Sequence, residues 1–197
     1  MYSSSDLAFI IPTKNRPKEV KRHLQSLVKQ DCKIGRIIIV ASGYDIQKIV
    51  MKFSDMLPVE YYRSDPGQIR QRNLGISLLN ESTKLVATMD DDVTYEKNAI
   101  TNMIHFWNNT NNTTAGVGFN VINMKKHKHS LVKGLLGLSV LDQGKILESG
   151  ISTSITNINN NIRSEWLNGG ATVWKKEILL RFKHDEVKSK WATNEDT

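Results

Sequence analysis

Leu85-Val86-Ala87-Thr88-Met89-Asp90-Asp91-Asp92-Val93 is an apolar run that ends in three consecutive carboxylates. Leu85, Val86 and the β-branched Thr88 suit a buried strand. Adjacent negative charges repel, so the triplet needs solvent or a cation. At the carboxyl end of a central strand it would face the crevice where open α/β sheets bind ligands. Hard divalent cations take carboxylate oxygens, and Mg²⁺ adds substrate phosphates and water to one or two of them. The stretch therefore reads as a metal–diphosphate site. Its competing reading is an acidic cap for a helix that starts near Lys97.

On the N-terminal side of this stretch, apolar runs alternate with helical spacing. Leu7 to Ile11 predicts a first strand and Pro12 to Pro17 a loop, with Pro17 suited to a helix's first turn. Val20, Leu24, Leu27 and Val28 recur on one helical face, and His23 on the same helix is expected at the surface. Strands are expected at Arg36 to Val40 and Val59 to Tyr62, with helices at Ile46 to Phe53 and Ile69 to Leu79. On the C-terminal side, Ile100, Met103, Ile104 and Trp107 mark a helix, and Ala115 to Val121 a strand. Strands alternating with helices imply βαβ units, a mostly parallel sheet and an α/β fold. Right-handed crossovers would gather Thr13, Asn15 and Arg16, Ser42 and Gly43, and Asp90 to Asp92 on one edge of that sheet.

The remainder is less regular. Ser130 to Glu148 is apolar and glycine-interrupted, and reads as helix or loop. Ser149 to Arg163 reads as strand pairs or a loop. Trp166-Leu167-Asn168-Gly169-Gly170 suggests a strand closing in a tight turn, and Lys176 to Phe182 a helix. Repeats and linkers are absent, so one domain over residues 1–197 is expected.

Composition narrows the function. The 197 residues, 39% hydrophobic and 24% charged, fit a globular domain with a real core. A single cysteine, Cys32, excludes an internal disulfide and a cysteine-based zinc site, and suits a reducing compartment. No signal-peptide pattern and no apolar run of bilayer-spanning length is present. The net charge of +7 favours anionic partners. No nucleic-acid-binding motif accompanies it, so nucleic acid is not expected.

In order and spacing, several motifs together resemble family 2 glycosyltransferases with the GT-A fold. They are Phe9-Ile10-Ile11-Pro12-Thr13-Lys14-Asn15-Arg16; Gln68 through Arg70 to Arg72-Asn73-Leu74-Gly75; Met89-Asp90-Asp91-Asp92-Val93; Leu167-Asn168-Gly169-Gly170; and Asn194-Glu195-Asp196-Thr197. The resemblance implies inverting transfer of a hexosyl or N-acetylhexosaminyl group from a nucleotide-diphosphate sugar, with UDP the expected nucleotide. The acceptor would be a glycan or lipid-linked glycan, and the cofactor Mn²⁺ or Mg²⁺.

By the same resemblance Asp92 is the direct metal ligand. Asp90 and Asp91 would contact the ribose or the metal's water shell, Asp90 serving also as a metal residue. Pro12, Thr13, Asn15, Arg16 and Ser42 would hold base and ribose. Arg70 and Asn73 would share the donor-facing side of their helix, or Arg70 would cap a carboxylate of the triplet. Arg72 points elsewhere, donor contact and surface arginine standing open. Asp196 would be the general base, with Glu195, Trp166, Gly169 and Gly170 on the acceptor side; Trp166 reads equally as core. Two departures stand out. Ala41-Ser42-Gly43 lacks the acidic residue with which members often hold uracil. The sequence also stops at the Glu-Asp motif, where members continue, so a C-terminally truncated domain is expected.

The expected location is cytoplasmic. The apolar Leu131 to Leu141 stretch and the basic Lys125 to Lys128 knot leave a peripheral contact at the inner membrane face open. Two alternatives remain: a sugar-1-phosphate nucleotidyltransferase and a non-catalytic nucleotide- or glycan-binding module. The first commonly carries a glycine-rich loop after strand one, and residues 12–17 contain no glycine.

Overall fold

The computed structural model describes residues 1–123, 142–155, 158–182 and 184–186. Its chain order is β1 (Leu7–Lys14), α1 (Pro17–Val28), β2 (Arg36–Ser42), α2 (Gln47–Val50) with a 3-10 turn at Met51–Phe53, β3 (Val59–Arg63), α3 (Gln68–Ser77), β4 (Leu85–Met89), α4 (Ala99–Asn109), β5 (Gly116–Gly118), β6 (Ala171–Lys175) and α5 (Lys176–Arg181). The strands form one six-stranded sheet in the order β3-β2-β1-β4-β6-β5. β1 pairs in parallel with β2 and β4, and β2 with β3; β6 runs antiparallel to both β4 and β5. The fold is a single α/β domain with a mostly parallel sheet.

Period-two alternation along the strands divides the core. Leu7, Phe9 and Ile11 of β1, with Leu85, Ala87 and Met89 of β4, face α1, α2 and α4 and form the larger cluster. Ile10 and Val86 face the other way, against Ile76 of α3 and Leu179 of α5. α3 lies flush on the sheet because Gly75 sits on Ile10, where a Cβ would overlap the isoleucine side chain. Truncating a core residue such as Phe9, fully buried, would cost about 3–5 kcal/mol.

The chain winds from β1 to β2 and β3 in one direction, then returns to place β4 on the other side of β1. The carboxyl ends of β1 and β4 therefore flank the point where strand order reverses, the favoured ligand crevice of an open α/β sheet. Pairing of β1 with β4 stops at Ile10 and Thr88, whereas pairing with β2 continues to Lys14 and Ser42. Beyond Ile10, β1 has a partner on one side only, which lets Pro12 sit within the strand.

Several expectations need correction. His23 is fully buried, not at the surface. With Val20, Leu24 and Leu27 it completes an i, i+3, i+4, i+7 stripe, while Val28 turns outward. Residues 166–170 are not a strand. Asn168 organises a turn there, accepting from the Gly170 amide at 3.0 Å on its side chain and from the Ala171 amide at 3.0 Å on its carbonyl. The strand begins only at Ala171. β5 keeps three residues of the seven expected. Of Ser149 to Arg163, the described part contains one bridge, Ile146 with Ser152, and a turn at Gly150 with φ +78°. Lys125 to Lys128, Leu131 to Leu141, Glu195 and Asp196 lie outside the described residues.

Candidate functional site

The site grows from the end of β4. β4 ends at Met89, and in the turn that follows the carboxylates of the triplet take different partners. Asp91 turns inward and is buried, with Thr13 Oγ1 donating to its Oδ2 at 2.6 Å. Arg16 Nη1 lies 2.7 Å from Asp91 Oδ1, and Arg16 Nη2 lies 2.8 Å from Asp92 Oδ2. The β1 loop is thus fastened to the β4 end by one hydroxyl and one guanidinium. Burial pushes the Asp91 carboxyl above its ordinary range, opposed by the Thr13 hydroxyl and Arg16 and reinforced by its two acidic neighbours.

The Asp90 side chain points toward α3. Its Oδ1 receives Gln68 Nε2 at 3.1 Å and Arg72 Nη2 at 3.4 Å. Arg72 is buried, and the same nitrogen donates to the Gly169 carbonyl at 3.1 Å. The Asp90 amide donates to the Gly170 carbonyl at 2.8 Å. Gly170 leaves room for the Asp90 carboxylate, which a Cβ at this position would displace. These bonds tie Leu167-Asn168-Gly169-Gly170 to the acidic triplet. Arg72 is the residue that sequence reasoning placed elsewhere. A signal was available: Gln71 and Arg72 precede Gly75, the close-contact residue, on the sheet-facing side of α3.

Two further contacts hold the frame from beneath. Gln71, buried, donates to the Thr13 carbonyl at 2.8 Å and to the Val40 carbonyl at 2.6 Å, locking α3 to the ends of β1 and β2. His23 Nδ1 lies 3.2 Å from the Asp90 carbonyl and its Nε2 lies 3.4 Å from the Tyr95 hydroxyl. Burial lowers the His23 pKa to about 4, partly offset by the Asp90 carbonyl and the Asp92 charge. The ring is therefore neutral at ordinary pH, so Nδ1 can donate to the carbonyl while Nε2 accepts from the phenol. Burial likewise raises the Tyr95 hydroxyl well above its usual value.

Other expected residues disperse. Pro12 is buried within β1. Asn15 adopts φ +58°, and its Oδ1 accepts the Tyr44 amide at 2.7 Å, joining the β1 and β2 loops. Ser42 is buried, and its hydroxyl has no hydrogen-bond partner among the described residues. Arg70 does not reach the triplet: it pairs at 3.4 Å with both Asp65 and Glu186. Asn73 donates to the His184 carbonyl at 2.9 Å. Both side chains hold residues 184–186, because the side of α3 they share turns away from β4. The Trp166 indole donates to the Thr153 carbonyl at 3.0 Å, beside a cavity also lined by Phe119 and Leu167.

Among the described residues no group of three or more His, Cys, Asp or Glu is gathered as a metal cage. The donor set nevertheless fits a hard divalent ion. The Asp90 and Asp92 side chains, two residues apart, are 43% and 45% exposed, and Mg²⁺-type sites need only one or two carboxylates when phosphates complete the shell.

Comparisons with solved structures place the fold in the GT-A-like class. A mannosyltransferase from Pyrobaculum calidifontis, solved with GDP-Man and Mn²⁺, aligns over 92% of this chain and 48% of its own at a TM-score of 0.60 and 14% identity. TarS 1–349 of S. aureus aligns over 89% of this chain and 48% of its own at 0.59 and 14%. The same TarS fragment has also been solved with UDP-GlcNAc. A 4-diphosphocytidyl-2C-methyl-D-erythritol synthase from Anaerococcus prevotii aligns over 95% of this chain and 78% of its own at 0.56 and 13%. The chain spans about half the length of the mannosyltransferase and of TarS 1–349. No curated protein sequence matches it. The chain belongs to the family described as glycosyl transferase family 2, whose model matches residues 8–167.

Proposed function

We propose that this protein transfers a sugar, with inversion, from a UDP-sugar to a hydroxyl of a glycan acceptor. The observation that carries the reading is the convergence of Thr13 and Arg16 on Asp91 and Asp92 at the β1–β4 switch point. Membership of glycosyl transferase family 2 supports the reaction class.

In this account Thr13, Asn15 and Ser42 face the nucleoside, the buried Ser42 hydroxyl offering a donor and an acceptor. Asp92, with Asp90, would hold Mn²⁺ or Mg²⁺. The bound ion would supply Lewis-acid neutralisation of the leaving diphosphate, worth several kcal/mol. Arg72 and Gln68 orient Asp90, and Arg72 aligns the Gly169-Gly170 turn, where glycine permits close approach of an acceptor sugar. The acceptor oxygen attacks the anomeric carbon as the bond from that carbon to the phosphate oxygen breaks. Its proton passes to the Asp196 carboxylate, a general base worth ~10²–10⁴-fold; Glu195 and Trp166 border the acceptor. A hexose or N-acetylhexosamine fits this chemistry, and a lipid-linked glycan would bring the protein against a membrane. No helix among the described residues is long and apolar enough to cross one.

The nucleotidyltransferase likeness extends to the fold. It lacks a counterpart at the end of β1 and the loop after it, where residues 12–17 contain no glycine. Incubating the protein with UDP-GlcNAc, UDP-glucose or GDP-mannose and Mn²⁺ tests the reading. Release of the nucleoside diphosphate, lost in Asp92→Asn, is expected. Pyrophosphate exchange with UTP and sugar 1-phosphate in place of diphosphate release would contradict it.

A further inference from the structure

The three carboxylates of the triplet are not equivalent. Asp91 is committed: its side chain is 5% exposed, one oxygen takes the Thr13 hydroxyl and the other takes Arg16 Nη1. Asp92 is half exposed, and Arg16 Nη2 reaches it from a side chain that is itself 45% exposed. Arg16 therefore places one nitrogen on a buried carboxylate and the other on a half-exposed one. Its backbone is held in place, because Thr13 and Asn15 on either side of Lys14 are fastened to Asp91 and Tyr44.

We propose that Arg16 is a built-in counter-cation that competes with the divalent ion for Asp92 and passes from Asp92 to a donor phosphate oxygen when the nucleotide sugar arrives. The handover rests on the reading of this crevice as a nucleotide-sugar site, and the competition rests on the ion-pair geometry together with the assignment of Asp92 to the divalent ion. Two cations cannot share one carboxylate oxygen at contact distance without repelling each other. The guanidinium fork has five donors. Nη1 can stay on Asp91 while Nη2 changes partner, so the exchange requires side-chain rotation and no movement of the loop. Arginine suits phosphate as well as carboxylate, since both accept a charge-assisted pair. The arrangement would discourage ion binding before the donor and favour binding of ion and diphosphate together.

The test measures Mn²⁺ binding by electron paramagnetic resonance of the free ion, first without nucleotide and then with UDP, in the wild type, Arg16→Gln and Arg16→Gln/Asp92→Asn. Without nucleotide, Arg16→Gln should bind Mn²⁺ roughly tenfold more tightly than the wild type, the scale of one charge-assisted contact. The double variant should lose that gain. With Mn²⁺ present, Arg16→Gln should bind UDP roughly tenfold more weakly, by calorimetry. A merely structural arginine would weaken both. Equal Mn²⁺ affinity in wild type and Arg16→Gln, or weakening in both arms, overturns the proposal. Absence of UDP binding to the wild type overturns the nucleotide-sugar reading and the handover; the Mn²⁺ arm then tests the competition for Asp92 by itself.

Discussion

His23 offers a stability prediction that rests chiefly on its burial. The ring is fully buried, and its pKa falls from 6.5 to about 4. Between those values the unfolded chain binds a proton that the native ring refuses. The stabilisation is therefore complete above the unfolded value and is lost as pH falls toward the folded one. Linkage gives a loss of about 2 kcal/mol between about pH 7 and about pH 5, and about 3 kcal/mol over the whole window. Asp6, whose carboxyl is lowered to about 2 by Lys84, loses its contribution only in more acid solution. Asp91, shifted upward, works in the opposite direction, and its effect cancels between wild type and variant. The assay is urea unfolding followed by tryptophan fluorescence at the two pH values, in chelator, for the wild type and His23→Gln. The variant has no ring to protonate, so its stability should change by about 2 kcal/mol less than that of the wild type. The difference between pH values is the readout, independent of any constant loss from repacking. Parallel pH dependence in the two proteins would refute the reasoning.

Arg72→Met should lower stability by about 1–3 kcal/mol by stripping the Gly169 carbonyl of its donor, and should weaken Mn²⁺–UDP binding by calorimetry. Arg72→Lys should restore little, because one ammonium cannot reproduce the planar fork at Asp90 and Gly169. Gly170→Ala should displace the Asp90 carboxylate and reduce diphosphate release by roughly tenfold or more, with circular dichroism unchanged. Gly75→Ala should leave the site chemistry intact but lower unfolding stability by about 1–3 kcal/mol, since Ile10 lies where the new methyl would go. Thr13→Val removes the hydroxyl on Asp91; the carboxyl should titrate still higher, as read by carbon-13 resonances of labelled aspartate.

Much of the fold was legible because strand and helix periods are clean in the N-terminal half. Ile37, Ile38 and Ile39 leave no doubt about a strand buried on both faces, and Pro17 marks the start of α1. The convergence of Thr13, Arg16 and the triplet follows from topology, since β1 and β4 are neighbours whose carboxyl ends share an edge. Which arginine enters the site was harder to read. Arg70 and Arg72 are two residues apart on a helix whose sides are weakly distinguished by hydropathy, because α3 meets the sheet through Gly75 and Gln71. Buried polar residues carry no hydrophobic signal, and Arg72, Gln71 and His23 were obscured for that reason. His23 was recoverable from its spacing with Val20, Leu24 and Leu27. The tight turn at Gly169-Gly170 falls where its glycines suggest, but the strand expected before it is absent: Trp166 and Leu167 have the composition of a strand, whereas their backbone leads into the turn that places Gly169 and Gly170 beside Asp90.

The central claim is that the end of β4 binds a nucleotide diphosphate together with a divalent ion. Calorimetric titration of UDP into the wild type with Mn²⁺, with chelator, and into Asp92→Ala with Mn²⁺ measures this most directly. The account predicts binding in the first titration and at least a tenfold loss, about 1.4 kcal/mol, in each of the other two. Equal affinity in all three would contradict it.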